Sequence, residues 1–212
     1  MIKKIALFGA TGQTGKLFLE AALEKGYEIQ VLVRDISKLN QKSDKLTVFQ
    51  GDVLNVDDVA KIIKNCDLAV SLFGHVKNSP EWLQTNGTKN IIQAMKNFGV
   101  ERIISLSGGG LPFLDKDEPK FIDKLIRNIM KIMVPKALND AIEHHKILKE
   151  SGLKWTIVRG PRLTNDAKIN TYKVGWVGVN SGTKISRGDL ADFIVTQIED
   201  ETFNYQMPFV SN

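Results

Sequence analysis

The chain has 212 residues, 42% of them apolar and 25% charged. That is enough for one substantial core, and the composition excludes a disordered or fibrous chain. The formal charge of +5 and a pI near 9.2 suit anionic ligands, but the basic residues are not interleaved with aromatics, which argues against nucleic acid as a partner.

Residues 2–8 form an apolar run that meets the turn GATGQTG. The lysines before that run resemble the start of a signal peptide, but the apolar part is too short and flows straight into the turn. Gly9, Gly12 and Gly15 fall at GxxGxxG spacing between a strand pattern and an amphipathic segment, residues 16–25. Gly9 allows a tight exit from the strand, Gly12 leaves bare backbone for a pyrophosphate, and Gly15 permits close packing of helix on sheet. Thr11, Gln13 and Thr14 belong to the same cradle, where a helix amino end offers free N–H groups and partial positive charge to phosphates.

The second strand, residues 27–33, ends at Arg34. An NAD-binding unit usually carries an acid at that tip, about 20 residues beyond the turn, for the ribose hydroxyls. A guanidinium there pairs instead with a 2′-phosphate, so NADP(H) is expected over NAD(H), with Lys38 as a second phosphate contact. Asp35 is the competing reading, as the ribose acid one position on, and a solvated loop accounts for Arg34 and Lys38 equally simply.

Residues 37–44 read as a polar loop and 46–50 as a third strand, closed by Gly51. Asp52 and Val53 then stand at its carboxyl end, placed to take the adenine amino group and ring. The alternative is that Asp52 or Asn55 caps the helix over residues 57–64. Cys66, the single cysteine, excludes an internal disulfide and reads as a core thiol. Residues 67–73 form a fourth strand, and Phe73 and Gly74 give room beside the adenosine ribose and pyrophosphate. His75 and Lys77 follow on a loop lining the same crevice, or simply on the surface. A helix is expected over 82–98, ended by Gly99.

Residues 102–106 are the fifth strand, which delivers Ser107 and Gly108 to where nicotinamide would sit. From 115 to 151 the pattern is helical: Pro119 opens a segment, Pro135 breaks it, and Asn139 or Asp140 caps the next. Met130 and Met133 with Ile126, Ile129 and Ile132 read as a core stripe, or as the wall of an apolar substrate site. The cationic cluster over 116–136 reads as a solvated helix face. Residues 153–158 are a sixth strand leading into Pro161 and Arg162, 172–179 a loose strand pair or lid, and Ser186 and Asp189 open a helix to about 198. A last strand is expected over 207–210. Alternating strand and helix patterns imply an α/β fold: a Rossmann-like, doubly wound, mainly parallel sheet with helices on both faces. A single domain, 1–212, is expected, its substrate side formed by 108–140 and 160–187. No run of about 18 apolar residues occurs, so no membrane partner is expected and the cytoplasm is the default location.

The stretches GATGQTG, LVRD, GDVL, NGTKNIIQAMKNFGVERIISLSG, SGLKWTIVR and ISRGDLADF, in that order over almost the whole chain, resemble atypical short-chain dehydrogenase/reductases of the NmrA-like, NAD(P)H-binding type. Within that group the likeness is to the flavin-reductase branch of the biliverdin reductase B kind. The resemblance implies a Rossmann fold, bound NADP(H), and no large substrate lobe. Standard members carry a Tyr, and a Lys four residues later, on the helix before SGL; the matching positions here are Ala137 and Ala141, and neither can move a proton. The flavin-reductase branch also lacks that pair, since hydride transfer to a flavin or quinone needs positioning and an apolar wall more than a strong acid.

That branch has a Ser after the fifth strand and a His after the sixth; here Gly108, with Ser107 beside it, and Arg162 stand in their places. Ser107 and Arg162 are therefore the catalytic candidates, with Arg162 orienting the acceptor. FMN or FAD would be a substrate and not a prosthetic group. His144 and His145 point about 100° apart on a helix, so at most one faces a cleft, and no spacing suggests a metal site. A monomer or small homo-oligomer acting on a small molecule is expected. A dinucleotide sensor without turnover is the rival reading.

Overall fold

Ile5 and Leu7 point to one side of the first strand, β1 (Lys4–Phe8), and Ala6 and Phe8 to the other, and all four are buried. A strand buried on both faces belongs at the centre of a covered sheet. The structure is a computed structural model that describes residues 3–76 and 78–212. The expectations placed on Ile2 and Lys77 lie outside the described residues.

The chain continues through α1 (Gln13–Glu24), β2 (Glu28–Val33), β3 (Leu46–Gln50), α2 (Val56–Ile63), β4 (Leu68–Ser71), α3 (Leu83–Phe98) and β5 (Arg102–Gly108). It goes on through α4 (Phe121–Met133), α5 (Pro135–Glu150), β6 (Lys154–Gly160), β7 (Arg162–Thr164), β8 (Lys173–Gly175), β9 (Lys184–Ser186), α6 (Arg187–Thr196) and β10 (Phe209–Ser211). The main sheet runs β3-β2-β1-β4-β5-β6-β10-β8. All pairings are parallel except β10 with β8, and β7 and β9 form a small parallel pair beside it. The order reverses between β1 and β4, which opens a crevice at the strands' carboxyl ends.

Two apolar layers hold this sheet. On one face Phe18, Leu19 and Ala22 of α1 and Leu190 and Ile194 of α6 pack on Ile5, Leu7 and Val31. On the other, Ile62, Ile91, Met95 and Leu148, from α2, α3 and α5, pack on Ala6, Phe8, Ile103 and Ile157. Cys66 lies in this second layer as expected: its thiol donates to Ile62 O and accepts from Gln30 Nε2, and burial pushes its pKa up to about 11.

Pro135 breaks the helical run as expected: α4 ends at Met133, and the proline opens α5 at its first turn, where a missing N–H costs nothing. Two other readings of the segment change. Asp140 does not cap its own helix; it is fully buried and reaches across to α3. The stripe of Ile126, Ile129, Ile132 and Met133 is not core, because α4 contains no buried residue at all.

His144 bridges three elements. Its Nδ1 lies 3.0 Å from Thr88 Oγ1 on α3, and its Nε2 lies 3.0 Å from Ser105 Oγ on β5. Burial pulls its pKa from 6.5 down to about 4, so the folded chain holds it neutral. That contribution is fully present above pH ~6.5 and is lost as the pH falls toward 4, because the unfolded chain binds the proton first; the loss is about 3 kcal/mol. Urea unfolding at pH 7 and pH 4 is expected to show this fall in the natural chain, and a smaller one in His144→Asn. Equal pH slopes would contradict the assignment.

Candidate functional site

The β1–α1 turn is built by close approach. Gly9 has φ +90°, and a Cβ there would stand 2.6 Å from Phe73 N at the end of β4; a Cβ at Gly15 would run into Gly9 O. Glycine is therefore required at both positions for internal reasons. Gly12 is different. A Cβ there would meet only Gly9 O at 3.3 Å, and one at Gly74 or Gly108 would meet nothing within 4 Å. A side chain at Gly74 or Gly108 would stand in open space at the strand ends, whereas one at Gly12 would press on Gly9 O.

The amino end of α1 is likewise open. Asn55 caps α2 and Ser186 caps α6 with side-chain oxygens, whereas α1 follows Gly12 with no capping side chain and no acid in its first turn. The amides of Gln13, Thr14 and Gly15 thus form an uncapped helix end suited to an anion. Gln13 is exposed, and Thr14 and Gly15 are buried.

In front of this helix end lies a crevice of about 360 Å³, lined by Gly9, Thr11, Gly12, Arg34, Asp52, Val53, Phe73 and Gly74. The eight were placed there by sequence alone. Arg34 stands at the tip of β2. Asp35, the competing ribose acid, is occupied: its Oδ1 accepts from Ser37 N at 3.0 Å and Ser37 Oγ at 2.6 Å. Those bonds hold its carboxyl below the usual value. Lys38 lies 3.6 Å from Asp35 on this exposed turn and does not line the crevice, so of the two cations only Arg34 is at the site. At the far wall the capping reading falls to Asn55, which caps α2, while Asp52, whose Oδ1 accepts from Leu54 N, lines the crevice.

A second compartment of about 340 Å³ shares Phe73, Gly74 and His75 with the first and is lined by Ser107, Gly108 and Pro161. Its wall is apolar, with Leu106, Leu111, Met130, Leu138 and Leu163, and Ala137 and Ala141 also face it. Both volumes lie in the range of roughly 300–1,000 Å³ typical of small-molecule sites. The buried hydroxyl of Ser107 has no hydrogen-bond partner among the described residues. Arg162 is exposed at the start of β7 and does not line this compartment.

The junction between the compartments is organised by contacts that no local spacing announces. The buried Asp140 carboxylate accepts from Gln84 N and Thr85 N, each at 2.8 Å, and so caps α3 from outside; it also meets His75 Nε2 at 2.6 Å. Burial raises the Asp140 pKa, but the bonds from Thr85, Gln84 and His75 outweigh it and leave the carboxyl below its ordinary value. An ionised carboxylate only accepts, so Nε2 of His75 carries the hydrogen and Nδ1 is the position left for exchange. His144 and His145 take no part: the first is buried among Thr88 and Ser105, and the second lies against Phe113 and Trp155. Beneath the second compartment, fully buried Arg159 pairs bidentately with Asp117 at 2.8 Å and donates to Leu111 O, tying β6 to the glycine loop after β5. No group of three metal-ligating side chains occurs among the described residues.

The pattern recorded for NAD(P)H-binding proteins matches residues 9–201. Among relatives, the uncharacterized chloroplastic protein At2g34460 of Arabidopsis thaliana is 30% identical over 97% of this chain and 75% of its own length. The uncharacterized protein YwnB of Bacillus subtilis is 24% identical over 92% of both chains. Among solved structures, a short-chain dehydrogenase/reductase of Veillonella parvula in complex with NADP superposes with a TM-score of 0.80 at 19% identity, covering 100% of this chain and 95% of the other. ChuY, an anaerobilin reductase of Escherichia coli O157:H7, superposes with a TM-score of 0.79 at 18% identity over 98% and 96%.

Because Gly12 has ordinary φ and a methyl group there would press only on Gly9 O, at 3.3 Å, Gly12→Ala is expected to fold and to lower the melting temperature by less than about 5 °C. The same methyl group should weaken NADPH binding about tenfold or more, read by fluorescence titration. Unchanged affinity would show that the ligand does not lie against Gly12.

Proposed function

The chain belongs to the NAD(P)H-binding family, and from that membership we propose that it is an NADPH-dependent reductase passing hydride to a planar, electron-poor ring such as a flavin or quinone. The observation that carries this reading is the pairing of two joined compartments: one with an open helix end and a guanidinium, the other walled by aliphatic side chains with a single histidine at the junction.

The residues present fit the dinucleotide. The amides of Gln13, Thr14 and Gly15 would hold its pyrophosphate, Arg34 its 2′-phosphate, and Asp52 and Val53 its adenine. Bound there, NADPH supplies the hydride. The work of the chain is then to orient and to exclude water. Leu111, Met130 and Leu138 offer a dry wall to a flat ring, and the unpartnered Ser107 hydroxyl is available to a polar group at its edge. His75, held by Asp140 through Nε2–H, can in its doubly protonated form give the Nδ1 proton to the acceptor as negative charge builds on it, and is left as the neutral Nε2–H ring. Arg162 is left with a weaker claim, as a cation at the rim. Ala137 and Ala141 face the compartment where a Tyr and Lys would serve carbinol chemistry, which supports an acceptor that does not draw its proton from that pair.

The same two alanines favour one rival, a sensor that binds NADP(H) without turnover. Consumption of NADPH with FMN and with a benzoquinone separates the two: saturable oxidation with either acceptor is expected, and tight binding with no oxidation across the panel selects the sensor. Arg34→Ala should weaken NADPH far more than NADH, and equal weakening would refute the 2′-phosphate contact. His75→Gln should leave NADPH binding intact and lower kcat about 100-fold. A full rate in that variant removes His75 from proton delivery.

A further inference from the structure

Helix α4 is turned the wrong way for a helix that packs on its own core. At about 100° per residue its apolar side chains cover an arc of about 180°. That arc points outward: Phe121 is 83% exposed and Ile132 82%, and Ile122, Leu125, Ile126 and Ile129 are exposed with them. What touches the protein is the edge and polar side: Met130 beside Leu138, and Arg127 at 3.9 Å from Asp117. Asp123 is spent within the helix, accepting from Lys120 N. Lys120, Lys124 and Lys131 are exposed along the helix, and no carboxylate lies within ion-pair distance of them among the described residues.

We propose that this face is a docking surface for an anionic lipid bilayer, with α4 lying in the plane of the membrane. An outward apolar arc on a helix whose polar side carries exposed lysines is the signature of an interfacial helix: the apolar side chains enter the acyl boundary while the long lysine side chains reach the headgroups. Charge favours this occupant over a second copy of the chain, because a twofold interface would bring together two copies of a helix carrying Lys120, Lys124, Arg127 and Lys131 against the single acid Asp123. Among the described residues no helix is long and apolar enough to cross a membrane, and surface docking asks for none. Met130 of the same helix walls the second compartment, so docking would hold that compartment at the bilayer surface, within reach of a membrane-dissolved ring. This last consequence rests on the reductase reading; docking itself does not.

The test is flotation of the full chain with vesicles of phosphatidylcholine alone and of phosphatidylcholine mixed with phosphatidylglycerol, with NADPH titration of each variant as a separate readout. The natural chain is expected to partition onto the mixed vesicles about tenfold more strongly than onto the neutral ones, and less so at high salt. The double variants Phe121→Glu/Ile132→Glu and Lys124→Glu/Lys131→Glu should each lose about tenfold or more of that partition while binding NADPH like the natural chain. Absence of partition, or partition unaltered in both variants, overturns the proposal. So does a dimer in solution that Phe121→Glu/Ile132→Glu splits, which would assign the face to a second copy.

Discussion

The contact on which the site depends is backbone against backbone. Gly15 at the start of α1 lies so near Gly9 that any side chain there would strike its carbonyl, and Gly9 in turn presses on the end of β4. This packing sets the amino end of α1 over the gap between β1 and β4, where the strand order reverses. Everything said of the dinucleotide follows from that placement. The tight turn brings the uncapped amides of α1 to the crevice that Arg34 lines from the end of β2.

Two buried carboxylates extend this frame toward the acceptor side. Asp140 leaves its own helix unserved and instead caps α3, holding His75 with the same oxygens. Asp117 takes both guanidinium nitrogens of Arg159 and also accepts from Phe113 N and Val177 N, so it fixes the loops that floor the second compartment. Removing one partner of a pair this buried typically costs about 3–5 kcal/mol. Neither carboxylate lines the compartments itself, yet each holds residues that do, His75 for Asp140 and Leu111 through Arg159 for Asp117.

How much of this was legible in the sequence follows from the range of each interaction. The turn, the strands and Arg34 are local: spacing of glycines and alternation of apolar residues encode them within a few positions. Asp140 and Asp117 act over more than 40 residues of chain, and no spacing rule announces a carboxylate that caps another element's helix. For that reason Asp140 was read as a cap of α5, and the junction histidine was only one loop residue among several. Lys38 was drawn to the phosphate by its charge, but the nearer acid on the same turn holds it. The apolar stripe of α4 was misread for a different reason: periodicity reveals that a helix has an apolar face, not which neighbour, if any, covers it.

The central claim is that a dinucleotide lies across the strand ends against α1. Hydrogen exchange of the chain with and without saturating NADPH tests it most directly. Slower exchange is expected at the amides of Gln13, Thr14 and Gly15 and at Arg34, with the exposed face of α4 unchanged. Slowing confined to other segments, or none at any NADPH concentration, would contradict it.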